Sequence, residues 1–220
     1  MEDQVELEEN NSEPQRNLTR EEQLTDTIDS IHTMLSFTKR LKVDYGLLSL
    51  QMARAPHDYY SWNLEKRQDF LQAPSIHSLC KTIVMKNSEY NDEYASDPYY
   101  PKFIMVIVQY SKKLISQNIA AIMKNYQRDN NKEKVVGKKF FKFRLADEAD
   151  AFELSGYKYN SITPFFMKND SLKIILSKGI YDLDPKYFWL GGGRVELKLG
   201  VSVDEFMQFF GDRVIVGEIS

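Results

Sequence analysis

The sequence of 220 residues contains one cysteine, three histidines and no apolar run near the roughly 20 residues that span a membrane. The lone Cys80 excludes a disulfide within the chain and is typical of a reducing compartment, which predicts a cytoplasmic protein. His32, His57 and His77 are far apart in the sequence, and Cys80 has no CxxC partner, so we expect no metal site. The first residues are acidic and polar, unlike a signal or transit peptide.

The sequence also lacks the common catalytic signatures. It has no Gly-x-Ser-x-Gly nucleophile elbow, and Cys80 is interpreted as a buried apolar side chain rather than a nucleophile. The triplet Gly191-Gly192-Gly193 lacks the Gly-Lys-Ser/Thr ending of a phosphate-binding loop. It is compatible with a tight turn and equally with a place where backbone amides approach a ligand.

Charge is distributed unevenly along a chain whose net charge is only −3. Residues 1–13 contain six acids and no base, whereas residues 102–144 contain eleven lysines and arginines against two acids, a local net charge of +9. Such a segment is either a solvated surface or a site for the phosphate backbone of RNA. The candidate RNA-binding residues are Lys112, Lys113, Lys124, Arg128, Lys132, Lys134, Lys138 and Lys139.

Four segments are predicted along the chain. Residues 1–18 have too little apolar surface to fold and are expected to be a disordered acidic tail. Residues 19–42 are predicted to form an amphipathic helix, because Leu24, Ile28, Ile31 and Leu35 recur at alternating four- and three-residue steps. This helix either packs on its own domain or forms a short coiled coil with a partner. A connector over 43–56 and a globular domain over 57–220 complete the chain.

At least seven short apolar or alternating segments predict strands, separated by a few helices. Regular alternation of strands and helices is absent, so we expect an α/β (α+β) domain with a curved mixed β-sheet or partly closed barrel and flanking helices. Glu196 and Lys198 are expected to point outward from one of the last strands. Further strands are predicted at 79–85, 103–108 and 139–145, at the end of a loop over 156–167, and at 195–199.

Lys81 is the only charged residue in the apolar strand predicted at 79–85. Burial of an unpaired ammonium is costly, so this lysine either extends its head to solvent or is held for a function. A second unusual segment, Asn160-Ser161-Ile162-Thr163-Pro164, combines a residue that tolerates left-handed backbone with two hydroxyls and a proline. It is either an ordinary turn or a functional loop.

Three separated motifs resemble one family. Residues 78–87 (SLCKTIVMKN), 156–168 (GYKYNSITPFFMK) and 188–200 (FWLGGGRVELKLG) are similar in order and spacing to the YbaK/prolyl-tRNA-synthetase-associated editing domain, in particular to its eukaryotic free-standing members. The resemblance covers the chain from about His57 to the carboxyl terminus.

The resemblance implies an aminoacyl-tRNA deacylase that hydrolyses small mischarged residues such as Ala or Cys on tRNA, without metal or other cofactor. Lys81 matches the family's essential lysine. The substrate-binding residues implied are Asn160, Ser161, Thr163, Pro164, Gly191, Gly192 and Gly193. Charge stabilisation would then come from the lysine ammonium and from backbone amides. Asn160 stands where many members have glycine, which leaves the cleared amino acid open.

Two hypotheses follow. The first is a trans-editing hydrolase acting on mischarged tRNA. The second is a non-catalytic adaptor that keeps the same fold to bind tRNA or a synthetase and is joined to partners through the helix over 19–42. This helix is expected to associate with itself, with an aminoacyl-tRNA synthetase or with a synthetase complex, and no membrane partner is expected.

Overall fold

The computed structural model describes residues 4–5 and 19–220. The tail predicted to be disordered, 1–18, lies outside the described residues except for Gln4–Val5. The helices are α1 (Arg20–Thr38), α2 (Leu64–Leu71), α3 (Ser116–Asn130), α4 (Glu148–Ser155), α5 (Lys178–Tyr181) and α6 (Val203–Phe210). The strands are β1 (Gln4–Val5), β2 (Gln51–Arg54), β3 (Cys80–Asn87), β4 (Phe103–Gln109), β5 (Leu114–Ile115), β6 (Phe143–Leu145), β7 (Ile174–Ser177), β8 (Tyr187–Gly191), β9 (Leu197–Ser202) and β10 (Val214–Gly217).

Two larger sheets form the domain, and β1 pairs with β5 in a separate antiparallel sheet of two strands. The larger is mixed and has the order β10-β7-β4-β3-β6, with β7 parallel to β4 and to β10, and β3 antiparallel to β4 and β6. The smaller is antiparallel and has the order β2-β9-β8. A bridge between Leu79 and Trp189 joins the two sheets beside the start of β3. This is the predicted α/β fold with a curved, partly closed mixed sheet, and the sheet is not closed into a barrel.

Strand β4 shows how the larger sheet is buried on both faces. Met105 and Ile107 point into the main core, which also contains Phe188 from β8 and Phe206 from α6. The alternate residues of β4 pack on the opposite face in a second core under α3. A strand that is buried on both faces has a continuous apolar sequence, and this is why the strand could be predicted at 103–108.

Capping side chains define where several helices begin. The Thr19 hydroxyl accepts a hydrogen bond from the Glu22 amide at 3.2 Å, and the Glu22 carboxylate accepts one from the Thr19 amide at 2.8 Å. The sequence Thr19-Arg20-Glu21-Glu22 has the Thr-x-x-Glu spacing that such a reciprocal capping box requires. Asn63 caps α2 through the Lys66 amide, and Ser202 caps α6 through the Glu205 amide.

Two sequence predictions are wrong in detail. The strand predicted at 139–145 is reduced to β6, because residues 138–140 form a 3₁₀ turn. The segment 156–167 contains no strand and instead runs as a loop. The helix predicted over 19–42 is α-helical over Arg20–Thr38 and continues as a π-helical turn over Lys39–Asp44.

The amino-terminal segments contact the domain that follows them. Phe37 and Leu41 are buried in the main core, and β2, within the predicted connector, pairs with β9. The segment boundaries predicted after residues 18, 42 and 56 stay a prediction. Phe37, Leu41 and β2 nevertheless pack against the domain over 57–220. None of the helices in the described residues is both long enough and apolar enough to cross a membrane.

Candidate active site

A cavity of about 340 Å³ lies where the start of β3 meets the end of β8. This volume is at the lower end of the range for small-molecule pockets. Its wall is rich in aromatic rings and contains two lysines, Lys81 and Lys198. The aromatic lining residues are Tyr59, Tyr60, Tyr110, Tyr157, Tyr159 and Trp189.

Lys81, the lysine for which the sequence left a solvated and a functional interpretation open, lies on this wall. Strand β3 places it opposite Val108 of β4, and its side chain is only partly exposed. The ammonium lies 5.5 Å from the centre of the Tyr110 ring, within the range of a cation–π contact. The lysine therefore stays in an aromatic setting at the cavity surface and is not an ordinary solvated strand-end residue.

Lys198 is the residue that the sequence prediction placed wrongly. It was expected to point outward from β9, but it is only 5% exposed and faces the same cavity as Lys81. Its ammonium donates to the Tyr60 hydroxyl at 2.8 Å and to the Val195 carbonyl at 2.7 Å. The ring centres of Tyr60 and Tyr59 lie 4.4 and 5.0 Å from the same nitrogen. These contacts offset the cost of burying the charge.

Tyr60 connects Lys198 to the predicted functional loop. Its hydroxyl accepts from Lys198 and donates to the Asn160 carbonyl at 2.9 Å. Asn160 itself has φ of 60°, the left-handed conformation for which asparagine is suited among non-glycine residues. Asn160 thus adopts a left-handed backbone conformation that glycine, the residue of many members of the family that the sequence resembles, also adopts readily.

The other loop residues occupy two different places. Asn160 and Ile162 line the cavity. Ser161 is buried and its hydroxyl donates to the Lys158 carbonyl at 2.6 Å. Thr163 and Pro164 are also buried, and the Thr163 hydroxyl has no hydrogen-bond partner among the described residues. The structure therefore brings Asn160 to the cavity surface, while Thr163 and Pro164 lie behind it.

The glycine triplet allows two backbone segments to approach closely. A Cβ on Gly191 would lie 2.6 Å from the Ile162 carbonyl oxygen. The Gly192 amide donates to the Leu197 carbonyl at 2.9 Å, and the Gly193 amide donates to the Ser161 carbonyl at 3.1 Å. These two amides are thus engaged within the protein, and the triplet holds the 160–164 segment against the end of β8.

A second cavity of about 630 Å³ adjoins the first and shares Tyr59, Tyr60 and Tyr157 with it. Its far wall contains an ion network in which Arg194 donates to Asp26 at 2.5 Å and to Glu196 at 2.6 Å. Glu196, like Lys198, was predicted to point outward, yet it is half-buried. Although burial opposes it, hydrogen bonds from Ser30 and Arg194 keep the pKa of Glu196 below its usual value.

Two further groups at the first cavity have raised pKa values. Burial raises the pKa of Cys80 well above its usual range, so this thiol is protonated and a poor nucleophile, as the sequence suggested. Burial also raises the pKa of Tyr157 to about 12, and its hydroxyl donates to the Phe165 carbonyl at 2.6 Å. Neither group is placed to act as a base at neutral pH.

The predicted RNA-binding residues fall into separate groups. Lys112 and Lys113 follow Tyr110 and lie at the cavity end of β4. Lys138 and Lys139 precede Phe140, whose carbonyl accepts from Asn87 at the opposite end of β3. Six residues of strand separate Asn87 from Lys81, about 20 Å. Arg128 pairs with Asp129, and Lys134 contacts Tyr94; Lys124 is on α3, and Lys132 is exposed in the loop that follows.

Comparison with known proteins identifies the fold. No family model and no curated protein sequence matches the chain. A solved structure described as "a putative trans-editing enzyme for prolyl tRNA synthetase" matches with a TM-score of 0.61 and 12% identity, covering 86% of this chain and 96% of that one. An epitope-grafted scaffold matches with a TM-score of 0.61 at 11% identity over 86% and 96% of the two chains. A hypothetical protein matches with a TM-score of 0.51 at 16% identity over 77% and 89%.

At these identities the likeness is one of fold. The chain has the fold of an editing domain, as seen in that trans-editing enzyme. The three short sequence motifs predicted the same fold, and three of the candidate residues named from them, Lys81, Asn160 and Gly191, line the cavity. Sequence reasoning missed Lys198 and Tyr110, and it assigned no role at the site to Tyr60.

Proposed function

We propose that this protein is an aminoacyl-tRNA deacylase, a trans-editing hydrolase that cleaves the ester of a mischarged tRNA carrying a small amino acid such as Ala or Cys. The observation that carries the proposal is the aromatic cavity with Lys81 on its wall, in a chain with an editing-domain fold.

The proposed reaction is ester hydrolysis. Water adds to the ester carbonyl, a tetrahedral oxyanion forms, and its collapse releases the free amino acid and the terminal ribose hydroxyl of the tRNA. The Lys81 ammonium stabilises the developing negative charge in a partly desolvated site, where such a charge interaction is stronger than in water. In the family that the sequence resembles, the substrate's own neighbouring ribose hydroxyl helps to activate the water.

The backbone amides contribute less than the sequence motifs suggested. Gly192 and Gly193 donate to protein carbonyls, so we assign them to holding the loop rather than to binding the oxyanion. Charge stabilisation is therefore assigned mainly to Lys81. The proposed RNA contacts are the basic residues of 102–144, with Lys112 and Lys113 nearest the cavity.

A deacylation screen against a panel of mischarged tRNAs tests the proposal. Lys81→Ala is expected to lower the rate on the preferred substrate by about 10²-fold or more, because it removes a charge-stabilising donor. Lys86→Ala is the matched control: it lies on the same strand, pairs with Asp150 at 2.7 Å and is outside the cavity wall. It should keep near-wild-type turnover.

Equal turnover of Lys81→Ala and wild type rejects the assigned role of Lys81. The second candidate function, a non-catalytic adaptor, is favoured by the exposed apolar stripe on α1 described below. It predicts tRNA or synthetase binding with no hydrolysis of any mischarged tRNA in the panel.

A further inference from the structure

Helix α1 is oriented in an unusual way. Its apolar stripe, Leu24, Ile28, Ile31 and Leu35, points away from the domain, and these side chains are 47–63% exposed. The opposite face, which packs on the domain, is largely polar. An amphipathic helix normally buries its apolar stripe against its own core. Here the stripe is left uncovered by every described part of the chain.

The polar face of α1 is fixed to the domain by several contacts. Asp26 accepts from Arg194 at 2.5 Å and lies 3.5 Å from Arg54. The Ser30 hydroxyl, which is fully buried, donates to Glu196. At the end of the helix, the Phe37 ring packs edge-on against Phe166, with ring centres 5.1 Å apart. Because the helix is held along its length, it cannot rotate to bury the stripe without breaking this network.

The sequence of α1 favours a second copy of the same helix as the occupant. The stripe is symmetric about its midpoint, since the spacings are four, three and four residues in either direction. The first turn carries Arg20, Glu21 and Glu22, with a net charge of −1. The π-helical turn Lys39–Asp44, which continues α1, contains Lys39, Arg40, Lys42 and Asp44 and has a net charge of +2. Antiparallel pairing brings ends of opposite charge together, whereas parallel pairing brings like charges together.

We propose that the protein forms a two-fold symmetric dimer in which the α1 helices of two copies pack antiparallel through this stripe. In the symmetric register, Leu24 of one copy packs against Leu35 of the other, and Ile28 packs against Ile31. Alternating three- and four-residue spacing is the pattern by which two helices interlock side chains along a common seam. The antiparallel arrangement also places opposite ends of the two helix dipoles side by side.

The first test is the mass of the full chain in solution, measured by sedimentation velocity over a range of protein concentrations. The wild type is expected to sediment as a dimer at the higher concentrations. The double variant Ile28→Glu, Ile31→Glu is expected to be monomeric throughout, because four carboxylates would meet at the centre of the interface. Leu48→Glu is the control, since Leu48 is 76% exposed but lies outside the stripe. It should dimerise as the wild type does.

A wild-type chain that is monomeric at every concentration overturns the proposal and indicates that a different protein binds the stripe. A stripe variant that still dimerises also overturns the proposal. Circular dichroism and thermal unfolding of the stripe variant, expected to match the control, show whether loss of the dimer comes from loss of the fold. If the stripe variant unfolds, Ile31→Ser takes its place, and an unchanged dimer affinity in that variant overturns the proposal.

The second test fixes the direction of pairing by disulfide trapping. A mixture of the single variants Leu24→Cys and Leu35→Cys, treated with a mild oxidant, is expected to give a mixed cross-linked dimer. Leu24→Cys alone is expected to give no cross-linked dimer. In the antiparallel register the Leu24 positions of the two copies lie 11 helical residues apart, about 16 Å, which is too far for a disulfide. The buried Cys80 does not compete. Efficient self-cross-linking of Leu24→Cys overturns the antiparallel arrangement.

Discussion

Replacement of Gly191 by alanine tests the packing that shapes the cavity wall. On the present backbone the new Cβ would lie 2.6 Å from the Ile162 carbonyl oxygen and 3.4 Å from the carbonyl carbons of Ile162 and Ser161. Unstrained contacts of this kind are about 3.5 Å or longer, so one of the two segments must move by about 1 Å. The atoms met are backbone, which cannot rotate away as a side-chain terminus can. Overpacking of this kind costs about 1–3 kcal/mol.

For a chain of this size, a loss of 1 kcal/mol lowers Tm by roughly 2–4 °C, so Gly191→Ala is expected to lower Tm by roughly 2–12 °C. Gly137→Ala is the matched control, because its Cβ would meet nothing nearer than a Phe140 ring carbon at 3.8 Å. Gly137 also has an ordinary φ of −65°. Its replacement is expected to be neutral or to stabilise by about 0.4–1 kcal/mol through the unfolded state. Equal stability of the two variants would refute the tight contact between β8 and residue 162.

Three further predictions concern the relay, by which we mean the hydrogen bonds from Lys198 to Tyr60 and from Tyr60 to the Asn160 carbonyl, the loss of stability at acid pH, and the RNA-binding surface. Tyr60→Phe removes the hydroxyl between Lys198 and the Asn160 carbonyl and is expected to cost about 1–3 kcal/mol of unfolding free energy, measured by urea denaturation; a wild-type midpoint contradicts the relay. The pKa of Glu196 is lowered in the folded state, so its contribution to stability is present above its ordinary value of 4.5 and lost as pH falls through the folded pKa. In Glu196→Gln, Tm should therefore fall less steeply than in the wild type as the pH is lowered below 4.5. An unchanged dependence of Tm on pH in this variant contradicts the prediction. Replacing Lys132, Lys134, Lys138 and Lys139 by Glu is expected to weaken tRNA binding and reduce its dependence on salt, measured by filter binding; an unchanged slope places the RNA elsewhere.

The sequence was most informative where one residue pattern admits one structure. The continuous apolar run of β4 can be satisfied only between two covered faces, and the structure provides a core on each side. The caps at Thr19, Asn63 and Ser202 were predictable because each requires only a side-chain acceptor and amides within three residues. Elements that depend on distant packing were less predictable. The alternating residues of 139–145 suit a strand, yet 138–140 turn because the Phe140 carbonyl is held by Asn87 and Tyr100.

Lys198 shows why the candidate site could be predicted only in part. The alternation of apolar and polar residues in β9 was interpreted correctly, since Leu197 and Leu199 enter the interior while Glu196 and Lys198 lie on the other face. A pattern with a period of two separates the faces of a strand but does not reveal what covers the second face. That face is covered by residues more than a hundred positions earlier, the turn that carries Tyr59 and Tyr60 and the helix α1. A lysine on a polar face that is then enclosed by tyrosines becomes a buried cation, and this brings a second ammonium into the cavity of Lys81 without any local sequence signal.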